Sequence, residues 1–74
     1  MHVQYDPSVD AMYIRLTDGT YEESKEAQPG VILDMDKSGV VVGIELLDVS
    51  QHIPNLKTND FRYEVLSKKQ VSET

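Results

Sequence analysis

A chain of 74 residues makes one domain, and at this size folding buries only roughly 60% of the unfolded surface, so the core is thin unless another copy or partner adds to it. Acidic residues outnumber basic ones 13 to 7, and the resulting charge of −6 repels phosphate backbones, disfavours direct nucleic-acid binding and suits basic protein partners. The absence of cysteine excludes disulfides and thiolate metal sites, and with no apolar run of about 18 residues and no basic-then-apolar leader the composition predicts a soluble, cytoplasmic chain without a membrane span.

In chain order, Val3-Gln4-Tyr5 reads as a short strand. It stops at Asp6-Pro7-Ser8-Val9-Asp10, where Asp6 accepts a backbone hydrogen bond and Pro7 presets the turn dihedral. Ala11 to Leu16 alternates Met12, Ile14 and Leu16 with Ala11, Tyr13 and Arg15, the period of a half-buried strand. The two strands make a hairpin with an inward row of Val3, Tyr5, Met12, Ile14 and Leu16. After a turn at Thr17 to Thr20, the polar stretch 21–27 is ambiguous between loop and strand. An edge strand is preferred, because Glu and Lys on an exposed edge resist pairing with other molecules.

Gln28-Pro29-Gly30 turns the chain into its densest apolar stretch, Val31 to Asp48, divided by Asp36-Lys37-Ser38-Gly39. Asp first and Gly fourth is a type I turn signature, which predicts a second hairpin. If Met35 faces Val40, then Leu33 faces Val42 and Val31 faces Ile44, with Leu46 continuing a wholly aliphatic row. A slip by one residue would set Asp34 against Val42 and turn every side chain to the other face. The opposite face carries Ile32, Asp34, Asp36, Val41, Gly43, Glu45 and Leu47. An offset of 30 positions lays the first hairpin on the second, Val3 on Leu33, Ile14 on Ile44 and Leu16 on Leu46, with Arg15 falling on Glu45. The chain therefore reads as two copies of one hairpin, or as two unrelated amphipathic hairpins of the same kind.

Beyond Asp48, Ser50 offers a cap for one helical turn that Pro54 keeps short. Phe61 to Leu66 alternates again and predicts a fifth strand, with a short helix as rival. Residues 67–74 have no periodicity and read as a frayed tail beyond a compact domain at 1–66. The predicted fold is mostly β, a single antiparallel sheet of about five strands built from two hairpins, with a short helical turn after the fourth main strand.

Tyr5-Asp6-Pro7, Asp10-Ala11-Met12-Tyr13-Ile14-Arg15-Leu16, Gly30-Val31-Ile32-Leu33-Asp34-Met35-Asp36 with Gly39, and Gly43-Ile44-Glu45-Leu46-Leu47-Asp48 together resemble the signature of the small bacterial YuzE-like proteins, a family of unknown function. The resemblance runs from about Val3 to about Ser50. It implies a compact antiparallel β domain without assigned activity, often a stand-alone chain. It also carries a loose association with antitoxin-like partners of small ribonuclease-like toxins. It supplies no catalytic residue to carry over.

Of the candidate sites, Asp34 and Asp36 leave one strand face about 7 Å apart, and with Glu45 on the neighbouring strand they could approach a divalent cation. The same carboxylates could serve a minimal hydrolase only if one were buried beside a cleft. Against this, Asp36 has a turn to form, and Asp34 and Glu45 suit a solvated hairpin face. His2 and His52 lack a third ligand or a nucleophile, so no catalytic residue and no cofactor is expected. Gly43 suits a close cross-strand approach. Tyr13, Ile32, Val41 and Leu47 form an apolar set on the outward side, and Arg15 and Glu45 beside them can pair across a two-fold axis. The predicted function is a protein-interaction module, homodimeric, for which the acidic charge favours a basic protein partner, with one concrete form in an antitoxin-like inhibitor. The alternative is a small-ligand or metal-binding domain, or a minimal hydrolase, using Asp34, Asp36 and Glu45.

Overall fold

A computed structural model describes residues 1–67. Five strands, β1 (His2–Asp6), β2 (Ala11–Arg15), β3 (Glu23–Gln28), β4 (Val31–Met35) and β5 (Val41–Leu46), are followed by one helical turn, α1 (Val49–His52). All neighbours are antiparallel, in the order β1-β2-β5-β4-β3. The fold is mostly β, and the polar stretch after Thr20 is the edge strand β3, exposed along its whole length. Pro29 and Gly30, the latter at φ 80°, turn it into β4, as a Pro-Gly pair does when the second position needs positive φ.

The first hairpin pairs Val3 with Ile14 and Tyr5 with Met12, putting its apolar residues in one row. Asp6 closes the turn, its Oδ1 accepting from the Ser8 amide at 2.9 Å and the Ser8 hydroxyl.

The second hairpin departs from the expected register by two residues. Leu33 faces Ile44 and Val31 faces Leu46, while Met35 faces Val41. Two local features produce this. The loop is three residues, 37–39, because Asp36 donates to Val40 at 2.9 Å and Gly39 adopts φ 88°, the left-handed residue that lets a type I turn close such a loop. A β-bulge then inserts one residue beside Met35, at Val41 and Val42. Either alone would set apolar against polar side chains, and together they restore the two-residue alternation of the faces. The Val42 carbonyl at the bulge accepts from both Leu16 and Thr17.

The two hairpins join through β2 and β5, where Ile14 faces Ile44 and Met12 faces Leu46. Under the 30-residue offset Ile14 and Ile44 are equivalent positions, so a local two-fold axis passes between them. Leu33 facing Ile44 likewise repeats Val3 facing Ile14.

One sheet face carries Val3, Tyr5, Met12, Ile14, Val31, Leu33, Ile44 and Leu46, and the other His2, Gln4, Tyr13, Arg15, Ile32, Asp34, Gly43 and Glu45. The apolar row is not sealed inside the molecule as the alternation predicts. All eight of its members are half-buried, and among the described residues the fully buried hydrophobics are Val42 and Val49. A single layer has no second layer to cover it.

Ser50 does not cap α1. Asp48 precedes the helix at φ 51° without a side-chain cap bond, and the Ser50 amide and hydroxyl donate instead to the Asp10 carboxylate, the hydroxyl at 2.7 Å. Asp10 also accepts from Tyr5 Oη at 2.9 Å. One carboxylate thus ties the helix to the first hairpin. Phe61 to Leu66 forms neither the expected strand nor a helix, and Phe61, Tyr63, Val65 and Leu66 are 66–77% exposed. Alternation alone does not make a strand where no neighbouring strand supplies hydrogen bonds. Of the tail expected as frayed, residues 68–74 lie outside the described residues.

Candidate functional site

Two surfaces stand out. The first is a recess on the polar face. Asp34 on β4 is opposite Gly43 on β5, and Gly43 is opposite Arg15 on β2. With no side chain between them, Asp34 and Arg15 flank a gap into which Tyr13 leans from β2. A Cβ at Gly43 would stand 2.5 Å from Tyr13 Oη and 2.9 Å from Cζ, so glycine is required there. Gly43 is the close-approach position that its place in a dense strand suggests.

Asp34 is fully buried, not solvated. Its Oδ1 accepts from Ser24 Oγ on β3 at 2.7 Å, and its Oδ2 is buried without a partner. Glu45 faces Tyr13 one pair along, on the same sheet face as Asp34. The neighbouring Asp34 carboxylate, as a hydrogen-bond acceptor first and through its charge last, together with partial burial, pushes the Glu45 carboxyl above its ordinary value of 4.5. Arg15 does not reach them, since its Nη2 donates to the Gly19 carbonyl at 3.0 Å. Tyr13, Arg15, Tyr21, Asp34, Glu45 and Leu47 line an open recess of about 750 Å³.

The three carboxylates singled out in the sequence are not brought together. Asp36 is at the hairpin loop, its Oδ1 accepting from the amides of Ser38 and Val40 at 2.8 and 3.0 Å. Those amides, Val40 first, hold its carboxyl below 3.8. Among the described residues no group of three or more His, Cys, Asp or Glu could hold a metal ion. Of the outward set, Tyr13, Arg15, Glu45 and Leu47 line the recess, Ile32 faces Glu45 across β4, and Val41 is in the bulge. Sequence reasoning missed the burial of Asp34 and the clamp at Asp10. The signal for the first was present, a glycine on β5 where the other hairpin copy carries Tyr13. The copies differ at the recess throughout, Tyr13 against Gly43, Arg15 against Glu45 and Gln4 against Asp34.

The second surface is the half-buried apolar face. Over the first hairpin, Val3, Tyr5 and Met12 line a cavity of about 670 Å³ whose far wall is Leu56, Phe61 and Tyr63. The C-terminal segment stands off the sheet and does not seal it.

No helix among the described residues is long and apolar enough to cross a membrane. No curated protein and no solved structure matches the chain. A family model described as "Protein of unknown function (DUF2283)" matches residues 2–50, from the start of β1 into α1 and so across the whole sheet. The chain belongs to that family.

Proposed function

We propose that this protein is a small acidic interaction module that works as a homodimer, its apolar sheet face packed on that of a second copy and its polar face turned to a protein partner. One observation carries the reading: eight apolar side chains on one sheet face stay half-buried in a chain whose fully buried hydrophobics, among the described residues, are Val42 and Val49. Sheets that are wet on one face hide the other. A second copy suits the face because an isologous contact sets the same patch of two subunits against each other, and an aliphatic row meets itself with no unpaired charge at its centre. The four strands that carry that row, about 4.8 Å apart and about 17 Å long, give a footprint of roughly 330 Å² before side-chain relief. That relief and the exposed Phe61 to Leu66 segment extend it toward the about 800 Å² per partner of a standard interface.

The polar face, with Tyr13, Arg15, Ile32, Glu45 and Leu47, is then left for the partner, Val41 being opposite Met35 at the bulge, and the charge of −6 favours a basic one. An antitoxin-like inhibitor occupying the basic groove of a nucleic-acid-cleaving enzyme is one concrete form. It accords with the YuzE-like motif pair and with a cysteine-free chain suited to the cytoplasm. Sedimentation equilibrium tests the dimer. The wild type is expected as a dimer at micromolar concentration, and Ile44→Lys, at the centre of the face, as a monomer. A wild type that stays monomeric at about 100 μM overturns the reading.

A further inference from the structure

We infer that the recess beside Gly43 is a binding site for a guanidinium or ammonium group, received by Asp34 Oδ2 and the Glu45 carboxylate. The inference deepens the reading of the polar face as the partner-facing side, and it names the chemistry that face accepts. Its foundation is the orphaned oxygen. Asp34 is fully buried, Ser24 satisfies Oδ1 at 2.7 Å, and Oδ2 has no protein donor. A buried carboxylate oxygen without a partner is costly, and sites that keep one are sites where something else supplies the donor.

The surroundings select that donor. A divalent metal needs more oxygen ligands than two carboxylates provide, and among the described residues no third His, Cys, Asp or Glu completes a metal-holding group. Arg15, the cation lining the recess, is bonded to the Gly19 carbonyl. An anion would meet Asp34 and Glu45 directly. A flat guanidinium presents paired N–H groups to two carboxylates, and the rings of Tyr13 and Tyr21 in the same wall favour an organic cation over a hydrated one. The volume of about 750 Å³ exceeds what one such group fills, so there is room for the chain that carries it.

Entry is through Glu45, the half-buried member of the pair, whose side chain must turn from Asp34 to admit the ligand. The competitor for Oδ2 is a proton. When Glu45 is protonated, its O–H donates to Asp34, and cation and proton exclude each other. Glu45 is faced by Tyr13 from β2 and by Ile32 from β4, with Arg15 and Asp34 diagonal to it on either side of Gly43, and along its row by Gln4 from β1 and Glu26 from β3. Because the Asp34 hydrogen bond raises the Glu45 carboxyl, affinity for the cation increases with pH until Glu45 is fully ionised.

The test is an NMR titration of the full chain at pH 8 with arginine amide, and in parallel with a Gly-Arg-Gly peptide, using sodium chloride at matched ionic strength as control. Saturable shifts of the Asp34, Gly43 and Glu45 amides are expected, weaker by about tenfold in Glu45→Gln and in Asp34→Asn and weaker at pH 5 than at pH 8. Tighter binding of the peptide assigns the site to a partner's arginine, and equal or tighter binding of the free amide to a small molecule. Either result supports the site. The absence of saturable shifts in the folded wild type, or undiminished binding in both folded variants, overturns it. Sedimentation of the same samples keeps the outcome separate from the dimer, since neither substitution touches the apolar face.

Discussion

At the scale of single residues, Tyr13 and Gly43 are one unit. The phenol occupies the space a side chain at Gly43 would need, so Gly43→Ala must push the ring away from Asp34 and Glu45. A cost of about 1–3 kcal/mol is expected in denaturant unfolding, as for other overpacked positions. In a Tyr13→Ala background the same change is expected to be nearly neutral, and the double-mutant cycle measures the difference. The recess was only partly legible in the sequence. Two-residue alternation puts Asp34 and Glu45 on one face, and that much follows from the pattern. Burial of Asp34 does not, because it depends on which residue stands opposite. In the expected register Asp34 faces Val41 and has no space beside it, whereas opposite Gly43 it gains a gap and Tyr13 closes over it.

Single elements are held by bonds that cross between them, and α1 is the clearest case. A four-residue helix has too few internal hydrogen bonds to persist alone, and Asp48 at its start offers no side-chain cap. Asp10 supplies the missing acceptor from a turn 40 residues earlier, with Tyr5 bonded to the same carboxylate. Asp10→Ala is expected to lower the melting temperature and to raise amide exchange at Ser50 and Ile53 while leaving the β4 amides protected, as hydrogen-exchange NMR would show. The hairpins themselves were legible from their turn residues, Asp6 with Pro7 and Asp36 with Gly39. Their relative register was less so. The loop of the second hairpin is three residues because Gly39 takes a left-handed conformation, and the bulge at Val41 and Val42 has no signature among aliphatic residues. Yet the 30-residue repeat already held the answer, since Val3 facing Ile14 maps onto Leu33 facing Ile44. Phe61 to Leu66 failed as a strand for the opposite reason: the alternation is there and the partner strand is not.

The molecule as a whole is a charged monolayer, and its stability follows pH from both sides. Asp6, Asp10 and Asp36 are held below 3.8 by their hydrogen bonds, from Ser8, from Ser50 and Tyr5, and from the Val40 and Ser38 amides respectively. Their contribution is complete above the unfolded value and is lost as pH falls through the lowered folded ones. Glu45 acts in the other sense. Its carboxyl is raised above 4.5, so the folded state holds a proton more tightly, and that contribution is present below the unfolded value and lost as pH rises through the folded one. The net charge of −6 at pH 7 adds self-repulsion on the same side. Thermal unfolding is therefore expected at a higher temperature near pH 5 than at pH 8, with a further fall below pH 4. Glu45→Gln is expected to flatten the neutral side and leave the acid side unchanged, which calorimetry across pH would reveal.

The topology also dictates an order of assembly. Within β1-β2 and within β3-β4-β5 every strand meets its chain neighbour through a short turn, so each meander closes a small loop at little entropic expense and forms quickly. The seam between Ile14 and Ile44 and the bonds from Val49 and Ser50 back to Asp10 instead span long stretches of chain. Docking along that seam, where β2 and β5 are far apart in sequence, is accordingly expected to limit the folding rate, and a seam substitution such as Ile14→Ala is expected to slow refolding in stopped-flow measurements more than a substitution within either turn.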